Sequence, residues 1–142
     1  MRRAAAAERY FFDAGYFRSV LAFADSWLLL AVEPGGEIAA GSLLARSDGL
    51  LHYYLSGTAD QQLRDSPMKN IVAAICDLGE ELGLPVNLGG GFAPGDALEE
   101  FKRGFANRRL TWLTSELICD RQRYEQLSAG REAGGYFPAY RA

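Results

Sequence analysis

The residues most open to a chemical reading are three glycines, one lysine and the start of a helix. Gly89-Gly90-Gly91 stand in succession. Glycine loses more chain entropy on folding than any other residue, so a run of three needs a compensating reason. One reason is close approach of backbone to a ligand at the carboxyl end of a strand, where α/β sites lie. The plainer one is a tight strand-to-helix turn with positive φ. Lys102 follows Phe101 and flanks an otherwise apolar helix face. Its ammonium can meet an anion, or its stem can lie on the core with the charge in water. Ser66-Pro67 opens a strongly apolar-faced helix. Free N–H groups and the helix dipole make such a start attractive to a negative group, and Ser66 also reads as an ordinary cap. His52 and Tyr54 share a strand face, and either side chain can serve as acid or base. Asp96 can act as a base, although its place three residues before Glu99 is that of a capping box.

Other chemistries are disfavoured. Cys76, Cys119 and a single histidine, His52, offer no metal-like spacing, so no metal is expected. No Ser-His-Asp or Cys-His arrangement can be assembled, and Cys76 falls beside core positions as a small hydrophobe. The formal net charge is -3, which gives no bulk positive field for DNA. Arg103, Arg108 and Arg109 form only a local basic cluster. The longest apolar run, Trp27 to Val32, is too short to cross a bilayer. Charged Glu8 and Arg9 interrupt what would be the apolar part of a secretory leader. The expected compartment is the cytoplasm.

The elements that must position these residues follow from hydrophobic period and turn chemistry. The chain of 142 residues fits one domain, expected over 1–128, with a loose glycine- and aromatic-rich tail over 129–142. The opening segment reads as helix. Asp13 then caps a short helix with Tyr16, Phe17, Val20, Leu21 and Ala24 on its apolar side. Trp27 to Val32 is a buried strand, Glu37 to Arg46 a second, and Ser47-Asp48-Gly49 a hairpin turn into a third over Leu50 to Ser56. Simple alternation puts Leu51, Tyr53 and Leu55 on one face and His52, Tyr54 and Ser56 on the other. After a polar stretch, Gly57 to Asp65, comes the helix headed by Ser66-Pro67, with Met68, Ile71, Val72, Ile75 and Leu82 on its buried side and Gly83 at its end. Val86-Asn87-Leu88 is a short strand. Asp96 opens a helix that buries Leu98, Phe101 and Phe105. Leu110 to Ile118 reads as a last strand and Asp120 to Leu127 as a short helix. The outcome is an α/β fold: a mixed sheet with an antiparallel meander followed by a β-α-β crossover, and helices on both faces.

This order, together with three stretches of residues, resembles the GNAT-type acyltransferase superfamily, and more closely the last domain of FemAB-like, peptidoglycan-bridge-type acyltransferases. The stretches are Leu55-Ser56-Gly57-Thr58 with the helix start at Ser66-Pro67, then Leu88-Gly89-Gly90-Gly91, then Asp96-Ala97-Leu98-Glu99-Glu100-Phe101-Lys102-Arg103-Gly104-Phe105. The likeness runs from about the first helix to Tyr124. The resemblance implies transfer of an acetyl or aminoacyl group from acyl-CoA, or from aminoacyl-tRNA, to an amine. It implies a donor site at Ser56, Gly57, Thr58, Ser66, Pro67, Met68, Phe101 and Lys102, with Lys102 and Tyr54 nearest the chemistry. It implies a cleft lined by His52, Gly89, Gly90, Gly91 and Asp96. The Gly57 to Ser66 stretch departs from the superfamily's Arg/Gln-x-x-Gly-x-Gly/Ala loop, and Asp60 and Asp65 lie within it.

A full GNAT domain begins with a strand ahead of its first helices, and FemAB-like proteins carry two such domains. A chain with neither is expected to expose a sheet edge and to pair through it as a homodimer. Acyl transfer and a non-catalytic interaction module of the same fold are therefore both expectations, with tRNA a partner only if it carries the acyl group.

Overall fold

The computed structural model describes residues 11–132 and 134–141. The chain forms two compact units, Met1–Asn107 and Arg108–Ala142. The opening helix expected ahead of Tyr10 lies outside the described residues.

Local signals set most of the first unit. Helix α1 spans Ala14–Leu21, and the Asp13 carboxylate accepts from the Tyr16 N–H at 2.7 Å, as expected of its cap. Three antiparallel strands follow: β1 over Ser26–Val32, β2 over Ile38–Ser47 and β3 over Leu50–Thr58. The turn between β2 and β3 has Asp48 and Gly49 at positive φ, the backbone that an Asp-Gly hairpin provides. Helix α2 spans Met68–Leu82 and ends at Gly83 with φ 65°, the left-handed cap glycine favours. It leads into β4, Val86–Asn87, which pairs parallel to β3. The sheet order is β1-β2-β3-β4. The expected meander and β-α-β crossover are both present.

Helix α2 covers one face of this sheet. Its Ile71 and Ile75 pack with Ala40, Leu44 and Leu51, and Trp27, Leu29 and Tyr53 join at the margin. Leu44, Leu51 and Ile75 are fully buried. Gly79 allows the close contact of α2 with β4: a Cβ there would sit 2.4 Å from Val86 Cγ2. The opposite face carries Leu28, Leu30, Leu43 and His52, and α1 lies on that side, its Tyr16 hydroxyl hydrogen-bonded to that of Tyr54.

The structure corrects three expectations. Alternation along β3 breaks at a bulge. Leu44 pairs with Tyr53 but Leu43 with Leu55, so Tyr54 has no opposite residue. Beyond it the faces exchange, and Ser56 joins Tyr53, whose hydroxyl lies 2.5 Å from Ser56 Oγ. A bulge inserts one residue into the ladder, which composition cannot reveal. Ser66 does not cap α2: it has φ 52° and closes a 3-10 helix over Asp60–Asp65, and the start of α2 has no side-chain cap. The expected strand over Leu110 to Ile118 is irregular, with Leu110, Trp112 and Leu113 more than four-fifths exposed. Its β-forming side chains suit a pleated surface, but they do not create a strand to pair with.

In that second unit, helix α4 covers Arg121–Ser128, capped by Asp120, which accepts from the Arg123 N–H at 2.8 Å. The Tyr124 ring meets Phe137 and Tyr140, and its hydroxyl accepts from the Ala139 N–H. Part of the expected loose tail is therefore packed on α4.

Candidate functional site

The site grows from the end of β4. β3 and β4 share only two register pairs, Leu51 with Val86 and His52 with Asn87. β3 runs on to Thr58, while the segment after β4 turns away through Gly89, which has φ 68°. The sheet therefore opens beyond His52, and the backbone amides and carbonyls past that point have no ladder partner on the β4 side.

Asn87 controls the turn. Its Oδ1 accepts from the Gly89 N–H at 2.9 Å, an Asx turn. With Oδ1 so engaged, Nδ2 faces His52 Nδ1 at 3.3 Å and donates to it. His52 Nε2 lies 3.1 Å from Ser47 Oγ and 3.3 Å from the Ser47 carbonyl. Donation from Asn87 assigns Nδ1 as the acceptor, with the ring proton on Nε2 facing Ser47.

The glycine loop is closed from its other side by α3, Ala97–Arg103. The Asp96 carboxylate accepts from the N–H groups of Glu99 at 2.7 Å, Ala93 at 3.0 Å and Phe92 at 2.6 Å. Donation from Glu99 first, then from Ala93, holds its pKa below the usual carboxylate range. These bonds occupy Asp96 as cap and loop anchor and leave it a poor proton acceptor. Gly91 must lack a side chain, since a Cβ would fall 2.0 Å from Asp96 Oδ1. Glu99 reaches back to the Gly95 N–H at 2.7 Å, one residue before the cap position of an ordinary capping box.

Lys102 lies across this loop. Its Nζ donates to the Gly90 carbonyl at 2.7 Å and sits 5.4 Å from the Tyr53 ring centroid. Burial lowers its pKa, and the Asp96 charge acts against that shift. A partly desolvated, pinned ammonium at the open end of a parallel pair can stabilise an anion. Phe101 turns instead to Phe105, ring centroids 5.5 Å apart.

On the α1 side a cleft of about 490 Å³ opens over β3. Tyr16, Val20, Phe23 and Tyr54 form one wall, and Ser47, His52, Asn87 and Gly89 the polar end. Tyr16 stacks on Phe12 at 4.2 Å between centroids. Its hydrogen bond with Tyr54, then burial, raises its pKa, and burial raises that of Tyr53 against the effect of Ser56.

Of the residues singled out in the sequence, Gly89, Gly90 and Lys102 form one cluster, and His52 joins Gly89 through Asn87. Tyr54 lines the cleft beside His52. Gly57 and Thr58 continue β3 beyond its pairing with β4, opposite Gly41 and Ala40. Ser66 and Pro67 accept the first N–H groups of α2, from Lys69, Asn70 and Ile71. Met68 packs against the core cluster. Sequence reasoning missed Asn87, Ser47, Tyr16 and Phe23 as site residues. Asn87 two residues before Gly89 was a readable Asx-turn signal. The other three depend on tertiary contact. Among the described residues, no group of acidic, histidine and cysteine side chains could hold a metal, and no helix is long and apolar enough to cross a membrane.

No protein-family model and no curated protein sequence matches the chain. Solved structures do resemble it. A single-site mutant of the BH1408 protein from Bacillus halodurans superposes with TM-score 0.61 at 15% identity, covering 79% of this chain and 77% of that one. A tetramutant of the same protein gives TM-score 0.57 at 13% identity, over 80% and 78%. The aminoglycoside antibiotic 6'-N-acetyltransferase AAC(6')-Ih from Acinetobacter baumannii gives 0.49 at 9% identity, over 73% and 79%. For the two BH1408 structures the likeness is one of fold alone.

Proposed function

We propose that the chain is an acyltransferase-like domain that moves an acyl group from an activated donor to an amine. The observation that carries this reading is the opening between β3 and β4, limited to two register pairs and followed by Gly89, Gly90 and the pinned Lys102. The start of α2, free of a side-chain cap, supports an anionic carrier group through the positive end of its dipole. The donor is acyl-CoA, or aminoacyl-tRNA if the carrier is a nucleic acid.

In the proposed step the amine lone pair forms an N–C bond to the donor carbonyl. The bond from that carbon to its thioester sulfur, or ester oxygen, then breaks with its electron pair. The nitrogen loses a proton and the departing group takes one up. The chain's own contribution is orientation, together with Lys102 as a positive neighbour of the developing oxyanion. Lys102→Met should lower the rate on the order of 10²-fold, the scale of losing one fixed donor. The test incubates the full chain with acetyl-CoA and an amine panel, following free CoA thiol and amide mass together. Amide with matching thiol release is expected. Thiol release no faster than in buffer, with no amide, overturns the reading for CoA. Salt-sensitive tRNA binding then decides the aminoacyl alternative.

A second reading, a self-association module, is favoured by the exposure of Leu110, Trp112, Leu113 and Leu117, because contiguous exposed apolar side chains mark contact surfaces. Light scattering tests it: a stable oligomer supports association, and a strict monomer removes it.

A further inference from the structure

The chemistry of the cleft beside β3 narrows the acceptor. We propose that this cleft binds the ring of an uncharged aromatic amine, of one or two fused cycles. The word acceptor rests on the transfer reading above, whereas the choice of ring and charge rests on the cleft alone.

Among the described residues that line it, none is Asp, Glu, Lys or Arg. An alkylamine enters as an ammonium ion, and a partly desolvated ammonium without a carboxylate is costly. An arylamine is neutral near pH 7 and has no such need. Its nitrogen carries no extra proton at that pH, so the site need not remove one before attack.

The wall is built for a flat apolar body. Phe23 is 69% exposed along it, and Tyr54 47%. Covering such rings with a third in offset or edge contact is favourable beyond the area alone. The volume of about 490 Å³ falls within the range of small-molecule sites, roughly 300–1,000 Å³. The polar end matches the amine: His52 Nε2–H and the Ser47 hydroxyl stand within hydrogen-bonding reach of one another, and either can reorient toward a substrate nitrogen.

Aromatic walls can also cage a cation, but one contact opposes that here. Tyr16 has one ring face stacked on Phe12, so it cannot offer both faces.

The test is calorimetry on the full chain without any acyl donor, using naphthylamine, spermidine and tetramethylammonium as probes. Naphthylamine should bind saturably at one site, and the two cations should be at least tenfold weaker. Phe23→Ala, at an exposed position outside the packed core, should weaken naphthylamine by up to about tenfold, the scale of a lost ring contact. Tyr54→Phe keeps the ring and should change little. Cations binding as tightly as naphthylamine, or Phe23→Ala leaving naphthylamine unaffected, would overturn the assignment. If naphthylamine binds while acetyl-CoA neither binds nor reacts, the cleft stands and the transfer reading falls. If acetyl-CoA reacts only with cationic amines, the reverse holds.

Discussion

The two faces of the sheet are closed to different degrees. Against α2, Leu44, Leu51 and Ile75 are 0% exposed. On the α1 side Leu43 is also buried, at 3%, but its β1 neighbours are not: Leu28 is 50%, Leu30 46% and Val32 56% exposed. The contrast follows from the covering helices. α2 has 15 residues and draws within contact of β4 through Gly79, while α1 has only 8. One face therefore supplies stability, and the other retains the open space that a binding cleft needs. Low local packing is where ligand sites and mobile elements are expected.

The largest effect that could break this contrast is a truncation on the α2 face. Ile75→Ala should cost about 2–5 kcal/mol in urea unfolding, because transfer and cavity terms add in a packed core. Leu30→Ala on the other face should cost less than about 1 kcal/mol. Equal losses would show that the faces do not differ. Next in size is Gly79→Ala. Alanine favours helix by roughly 1 kcal/mol, but its Cβ meets Val86 at 2.4 Å, so overpacking should win by about 1–3 kcal/mol. Combining it with Val86→Ala should recover part of the loss in a double-mutant cycle.

Smaller effects sharpen the account of the loop. The folded pKa of Asp96 lies below its unfolded value. Its stabilising contribution is then complete above the unfolded value, about 3.9, and is lost as pH falls through the folded one. Thermal melts between pH 5 and 2 should show a shallower decline for Asp96→Asn than for the parent chain. The last effect is on Lys102. Its ammonium should titrate below ordinary lysine by NMR, and Asp96→Asn should lower it further, because the carboxylate holds it up. A rise on that substitution would contradict the electrostatics described for the loop.

Features set by a few neighbouring residues were legible in the sequence. Asp13 and Asp96 cap their helices, and Gly83 ends α2, since each acts within one turn of its own position. The Gly89 and Lys102 signals also led to one place, because β4 and α3 are close in the chain. The bulge at Tyr54 was not legible: it reflects a mismatch between two strands rather than a property of either. Nor was the meeting of Tyr16 with Tyr54, 38 residues apart, which makes half of the cleft. Ser66 shows how a good cap residue can be diverted. The preceding 3-10 helix needs a left-handed residue to end it, and Ser66 takes that conformation. Leu110 to Ile118 has the composition of a strand, but a strand also needs a neighbour with free backbone groups.

The account stands on the opening past His52 and Asn87 as the place where a donor is held. The most direct measurement is an amide shift map of the full chain titrated with acetyl-CoA. The account predicts saturable shifts at Gly89, Gly90, Gly91 and Lys102, together with Met68 and Lys69 at the start of α2. No shifts at millimolar ligand, or shifts confined to Arg121–Ser128, would contradict it.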